Sequence, residues 1–289
     1  MPSNSPLSNP MRAQAPPLPD YEHPPVTEVV LSVQFAPLAG LNVLHVGPLW
    51  EKFRERYPRF EEQALLAPIL ETLSESNRPD IRLQFDFGEK PTLPRLWFLD
   101  APGNRLLQIQ PDRFIHNWRK AGEGDTYPRY EAIRETFEQE FRVFQQYIAE
   151  ADLGIIQPNQ CEVTYLNQIV PGHCWSRLGQ VEGALSLWNG PMQGAALEEP
   201  EDVRIAMRYR LHDSEGAPIG RLHVNLEPRR RVTDGTPILF LNLTARGRPI
   251  GAGIQEVLAM LDLGRERIVH TFTAITSPGQ HRMWGRQDA

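Results

Sequence analysis

The chain is poor in cysteine. Cys161 and Cys174 are the only two in 289 residues, so no disulfide framework staples it and a reducing cytoplasm is the expected setting. Long apolar runs are missing as well. The longest stretches without a polar side chain, residues 35–41 and 64–70, are seven residues each and contain Pro37 and Pro68. A membrane-spanning helix needs ~20 apolar residues, so none is expected. The first 25 residues hold no apolar signal core, which argues against secretion. Neither charge sign dominates: 30 basic against 36 acidic residues leave a formal −6, which disfavours a protein whose main task is coating nucleic acid.

Motifs for covalent and nucleotide chemistry are absent too. The sequence has no G-x-S-x-G elbow, no S-x-x-K and no Walker A loop, so no catalytic residue is assigned. Gly251-Ala252-Gly253 lacks the third glycine of a dinucleotide loop and reads as a strand-to-helix turn, so no cofactor is expected. None of the eight histidines stands in H-x-x-x-H spacing and no Cys-x-x-Cys occurs, so no metal site is expected.

What is present is a clear alternation of periods, in a chain that is 40% hydrophobic and long enough for a sizeable core. Residues 1–25 contain eight prolines and read as a disordered, partly polyproline tail. In residues 28–35, Val29, Leu31, Val33 and Phe35 fall on one face, the period of a half-buried strand. Pro48 starts a short helix, and residues 59–80 read as irregular or as a second short helix or strand. Runs 82–87, 95–100, 105–110 and 113–119 alternate with period two and read as an antiparallel meander. A helical stripe follows, with Tyr130, Ile133, Phe137, Phe141, Phe144 and Ile148 on one face. The second half repeats this order: strand 162–169, a short helix over 181–188, strands 203–211, 220–226 and 238–245, and a helix over 254–275 that Gly264 is expected to bend or split. The fold class expected is therefore α+β, in two tandem pseudo-repeated units over 26–155 and 156–289, or one continuous domain.

The runs PPVTEVV (24–30), LQIQPDR (107–113) with NWR (117–119), YPRY (127–130), EVTYLNQI (162–169) and the closing Trp284-Gly285 carry a resemblance. Together they resemble an uncharacterised, sporadically distributed family of prokaryotic proteins with no established activity. The resemblance implies no catalytic residue. Its sporadic distribution fits an accessory of a bacterial defence or toxin–antitoxin locus. The element order is also similar to TATA-binding-protein-like and helix-grip folds, an analogy of fold that carries no function.

The most informative pattern lies in the second half. In 203–211 the side chains of Ile205, Met207, Tyr209 and Leu211 point one way, under the last helix, and Arg204, Arg208 and Arg210 point the other. In the next strand Arg221, His223 and Asn225 oppose Leu222, Val224 and Leu226. Residues 201–231 hold seven arginines against five acids, or +2, while 131–152 hold six acids against two arginines, or −4. A sheet covered by helices on one side would then present Arg204, Arg208, Arg210, Arg221, His223 and Asn225 on its free face. Guanidinium groups so arrayed suit a solvated outer face, packing against the other half, or a site for a protein partner or an anionic small ligand, with a homodimer also compatible. The expected function is a non-catalytic binding protein. Two alternatives stand beside it: a small-molecule sensor or enzyme with a pocket between the halves, using His116, Tyr165 or His223, and nucleic-acid binding, which the net charge disfavours.

Overall fold

Alternating apolar and polar residues, punctuated by proline and glycine turns, build a mixed α+β structure dominated by one large antiparallel sheet. The computed structural model describes residues 18–73, 93–190 and 199–287. The first half contains β1 (Asp20–Tyr21), β2 (Val26–Phe35), α1 (Val46–Glu51), β3 (Arg59–Gln63), β4 (Arg95–Leu99), β5 (Arg105–Gln110), β6 (Arg113–Arg119) and α2 (Tyr130–Glu150). The second contains β7 (Pro158–Ile169), β8 (Ile205–His212), β9 (Pro218–Arg230), β10 (Pro237–Gly247), α3 (Ile254–Ile275), α4 (Pro278–Met283) and β11 (Arg286–Gln287). Nine strands form the sheet in the order β3-β4-β5-β6-β2-β7-β10-β9-β8, and β1 pairs separately with β11. The β2–β7 pairing, in register from Glu28↔Leu166 to Gln34↔Gln160, carries the sheet without a break from one half to the other. Residues 82–87, expected to form a strand, lie outside the described residues.

Residues directly opposed in antiparallel neighbours share a face, so the register fixes which side is covered. Leu31 opposes His116 and Val163, and Val33 opposes Phe114 and Cys161. α2 covers this side over β6, where the Phe114 ring lies 5.8, 5.2 and 5.2 Å from the rings of Phe137, Phe141 and Phe144. α3 covers the same side over β7 and β10. All of these apolar residues are buried in one continuous core.

Four sequence expectations need correction. α3 runs unbroken from Ile254 to Ile275, so Gly264 neither bends nor splits it. The missing side chain instead lets the helix sit on the sheet: a Cβ there would stand 3.1 Å from the Ala245 Cβ and 3.3 Å from the Val163 Cγ2. Tyr209 is 46% exposed because β8 is an edge strand beyond the reach of α3, which packs on β7, β10 and β9. Residues 181–188 form only a 3-10 turn at Val181–Gly183. Within the expected tail 1–25, Asp20 and Tyr21 are not disordered but pair with Gln287 and Arg286. The Tyr21 ring is buried 5.5 Å from that of Phe272, in an edge-on contact whose apolar burial outweighs the local proline content. Residues 1–17 lie outside the described residues, and among the described residues no helix is long and apolar enough to cross a membrane.

The seating of α3 can be tested directly. Replacing Gly264 with Val overpacks a contact that already has no spare room, at a cost of about 1–3 kcal/mol. Denaturant unfolding of G264V should show that loss, and a variant as stable as the parent would contradict the packing described.

Candidate functional site

With both long helices on one side, the other face of the sheet displays the polar residues of each strand. Register places them in rows. One row runs Ile115, Ser32, Glu162, Arg246, Arg221, Arg210 across β6, β2, β7, β10, β9 and β8. The next runs Asn117, Val30, Thr164, Thr244, His223, Arg208. Five of the six residues singled out in the sequence therefore share this face: Arg208 opposes His223, Arg210 opposes Arg221, and Asn225 opposes Ala206 one row on. Arg204 precedes β8 and is exposed, with its Nε 3.7 Å from Asp202.

This face is not open. Residues 64–73, which follow β3, run across it in an extended path and are held by side chains from successive strands. The Gln110 amide on β5 binds Leu66 in both directions, accepting from its N–H at 3.1 Å and donating to its C=O at 3.0 Å. Arg113 on β6 donates to the Ala67 carbonyl at 3.2 Å. Gln34 on β2 accepts from the Ile69 N–H at 3.3 Å, and Gln160 on β7 accepts from the Glu71 N–H at 2.8 Å while donating to the Ile69 carbonyl. Three glutamines thus pair with main-chain groups as a neighbouring strand would, a mode of recognition indifferent to the side chains of the bound segment.

The crossing ends at a cluster of charge. The Glu71 carboxylate accepts from Arg221 Nη1 at 2.7 Å, His223 Nε2 at 2.5 Å and Arg246 Nη1 at 3.3 Å. Arg246 also donates through Nε to Glu162 at 2.5 Å. Burial alone would raise the Glu71 pKa, but hydrogen bonds from His223 and Arg221, with the charges of His223 and Arg246, bring it down from its ordinary 4.5 to about 2. From β5 to β9 the path spans six neighbouring strands. At ~4.8 Å per strand that is about 24 Å, and the five steps from Leu66 to Glu71 reach about 17 Å, so the long side chains of Glu71 and Arg221 close the difference.

The strap is thinly packed. Leu65, Ile69 and Leu70 are 42%, 42% and 52% exposed, so polar contacts rather than apolar burial hold it to the sheet. Toward the other edge of the face, Arg95 and Trp97 donate to Gln108 at 3.0 and 2.9 Å. Gln108 in turn donates to Asn117 at 2.7 Å, and Asn117 to Glu28 at 2.6 Å. The amides of that chain bond to one another, and the Arg95 Nε is left buried without a hydrogen-bond partner among the described residues.

The three acid–base candidates do not converge. His223 sits at the strap, Tyr165 is on the helix side near the seam between halves, and His116 is in the core of the first half. His116 Nδ1 lies 2.8 Å from Glu140, which also accepts from Tyr57 at 2.5 Å and Arg56 at 3.1 Å. Burial would raise the Glu140 pKa, and the His116 charge and these hydrogen bonds bring it below the usual carboxylate range. Glu140, His116 and Tyr57 are buried in the core, and the cluster meets solvent through Arg56. Among the described residues no group of three His, Cys, Asp or Glu side chains could hold a metal ion. No known protein family matches the chain, and no curated protein matches it in sequence.

Sequence reasoning missed Arg246, Glu162 and Glu71. Arg246 was within reach, because it continues the alternation of Asn242 and Thr244 along β10. Glu71 was not, because it comes from a segment without periodicity about 150 residues away in the chain.

The Glu71 contact makes stability pH-dependent with a definite sign. Its folded pKa lies below its unfolded one, so its contribution is complete above about pH 4.5 and falls away as pH drops toward 2. Glu71→Gln should destabilise the chain at neutral pH by roughly 1–3 kcal/mol, the scale of charge-assisted hydrogen bonds, and the difference from the parent should shrink between pH 5 and pH 3. Denaturant titrations across that range measure it, and a gap independent of pH would rule out the carboxylate as the source.

Proposed function

We propose that the protein is a non-catalytic binding module whose arginine-lined sheet face takes an extended, acidic segment of a protein partner, a place that residues 64–73 fill in cis. The observation that carries this reading is the strap itself. The face engages an extended peptide through its backbone and reads one carboxylate with two arginines and a histidine. Beside that carboxylate, Arg208 and Arg210 are exposed and have no ion-pair partner among the described residues. The cis segment therefore satisfies only the inner part of the cationic patch, and a partner with further acidic residues would gain contacts that residues 64–73 do not offer. The exposure of Leu65, Ile69 and Leu70 keeps the cost of displacing the strap small.

We also read the two halves as tandem copies of one TATA-binding-protein-like unit. Strand order supports this: β2 is flanked outward by β6, β5 and β4, β7 by β10, β9 and β8, and each series ends in a long helix. The resemblance to a sporadically distributed prokaryotic family gives such a module a setting, as an accessory of a defence or toxin–antitoxin locus. The free thiols Cys161 and Cys174 suit a reducing cytoplasm.

A labelled peptide with the sequence of residues 64–73 tests the reading. Glu71→Lys in the full chain sets a cation against Arg221 and Arg246 and frees the face. Fluorescence anisotropy should show the peptide binding E71K at least about tenfold more tightly than the parent, and a peptide with Gln in place of its Glu should lose about tenfold or more. No binding to either chain, or equal binding of the two peptides, would refute it.

A further inference from the structure

On the opposite, helix-covered side, where the two halves meet, lies a cavity of about 370 Å³ that the strap does not touch. Its floor is Tyr165 and Leu243 of β7 and β10, and its main wall is Ile268, Val269 and Phe272 of α3. Residues 18–26 form the roof, tied down at the rim by Arg129, which donates to the Asp20 carboxylate at 2.7 Å and the Tyr21 carbonyl at 2.8 Å. Arg129 holds φ at 73°, a left-handed conformation that a side-chain-bearing residue adopts only when its surroundings impose it. The volume is that of a small-molecule site, with room for about a dozen water-sized groups.

Against this apolar lining stand a few convergent polar groups. The Tyr127 and Tyr165 hydroxyls lie 3.0 Å apart, and burial pushes Tyr165 up to about 12, so it stays a neutral donor at physiological pH. Beside them is Arg265 of α3. Its Nη2 lies 3.4 Å from Glu131, a side chain 70% exposed, and its guanidinium stacks 5.3 Å from the Tyr130 ring centre. The Nε of Arg265 is buried and makes no hydrogen bond. A buried guanidinium N–H without an acceptor is costly, and a ligand oxygen would relieve that cost. Arg129 and Asp20 are paired to each other at the rim and Glu131 is largely exposed, so Arg265 and the two hydroxyls are left to meet a ligand. This mostly apolar chamber fits a molecule with an apolar body and one anionic head.

We infer that this seam cavity is a binding site for a small amphipathic monocarboxylate, its aromatic or acyl body against Ile268, Val269 and Phe272 and its carboxylate on Arg265 and the Tyr127–Tyr165 pair. The site is independent of the strap face, since none of its lining residues belongs to residues 64–73 or to the face bearing Arg221 and His223.

Isothermal titration of the full chain with 2-naphthoate, with octanoate as a second probe and neutral 2-naphthamide as control, tests it. The expected result is saturable one-to-one binding of a carboxylate, about tenfold or more weaker with the amide and in Arg265→Gln. Val269→Trp, which fills the chamber, should abolish binding while leaving the thermal unfolding midpoint near the parent's, and Arg221→Glu on the other face should leave binding unchanged. Failure of both carboxylates to bind, equal binding of the amide, or binding unaffected by both R265Q and V269W would overturn the inference.

Discussion

The pairing of β2 with β7 determines how the rest of the chain is used. It joins two antiparallel meanders edge to edge, and its register turns Leu31, Val33, Val163 and Cys161 to one side, where α2 and α3 bury them. A one-residue slip would send that entire set to the opposite face, so the register is strongly specified. The same register leaves Ser32, Gln34, Gln160 and Glu162 on the face opposite α2 and α3, and each of these polar groups must find water, a neighbour or a ligand.

The strap is the chain's answer on that face. Its hold is unlike the core's. Phe114, Phe137 and Phe141 are held by ring contacts and complete burial, whereas residues 64–73 are held by glutamine amides and one carboxylate. Net gains from neutral hydrogen bonds are small because water competes for the same groups, so the charge cluster at Glu71 supplies the larger share. Without Glu71, Arg221 and Arg246 would face each other across β9 and β10, with their repulsion offset only from beyond Arg246, by Glu162 on β7. The face holds one carboxylate, and that carboxylate belongs to the chain itself.

Much of this was legible in the sequence because periodicity reports which residues share a face. α3 has the limits its stripe gives, from Ile254 to Ile275, and the alternation along β8 and β9 places Arg208, Arg210, Arg221 and His223 on one side. His116, within the apolar alternation of Phe114 and Trp118, is a core histidine satisfied by Glu140. Other features depend on tertiary context that local patterns do not carry. Tyr209 alternates like a core residue, yet lies on an edge strand beyond the three strands on which α3 packs. Tyr21 sits among prolines, yet packs under Phe272 and Trp284. The run 64–70, apolar but without periodicity, crosses a polar face, because its backbone rather than its side chains makes the contacts.

Amide hydrogen exchange, followed by NMR on the full chain, tests the central claim most directly. The N–H groups of Leu66, Ile69 and Glu71 point at glutamine side chains and belong to no strand or helix. They should be protected in the parent chain, and in an Arg221→Glu, Arg246→Glu double variant they should exchange at the rates of open peptide while the core amides of β2 and β7 keep their protection. Open-peptide rates for these three amides in the parent chain would contradict the account.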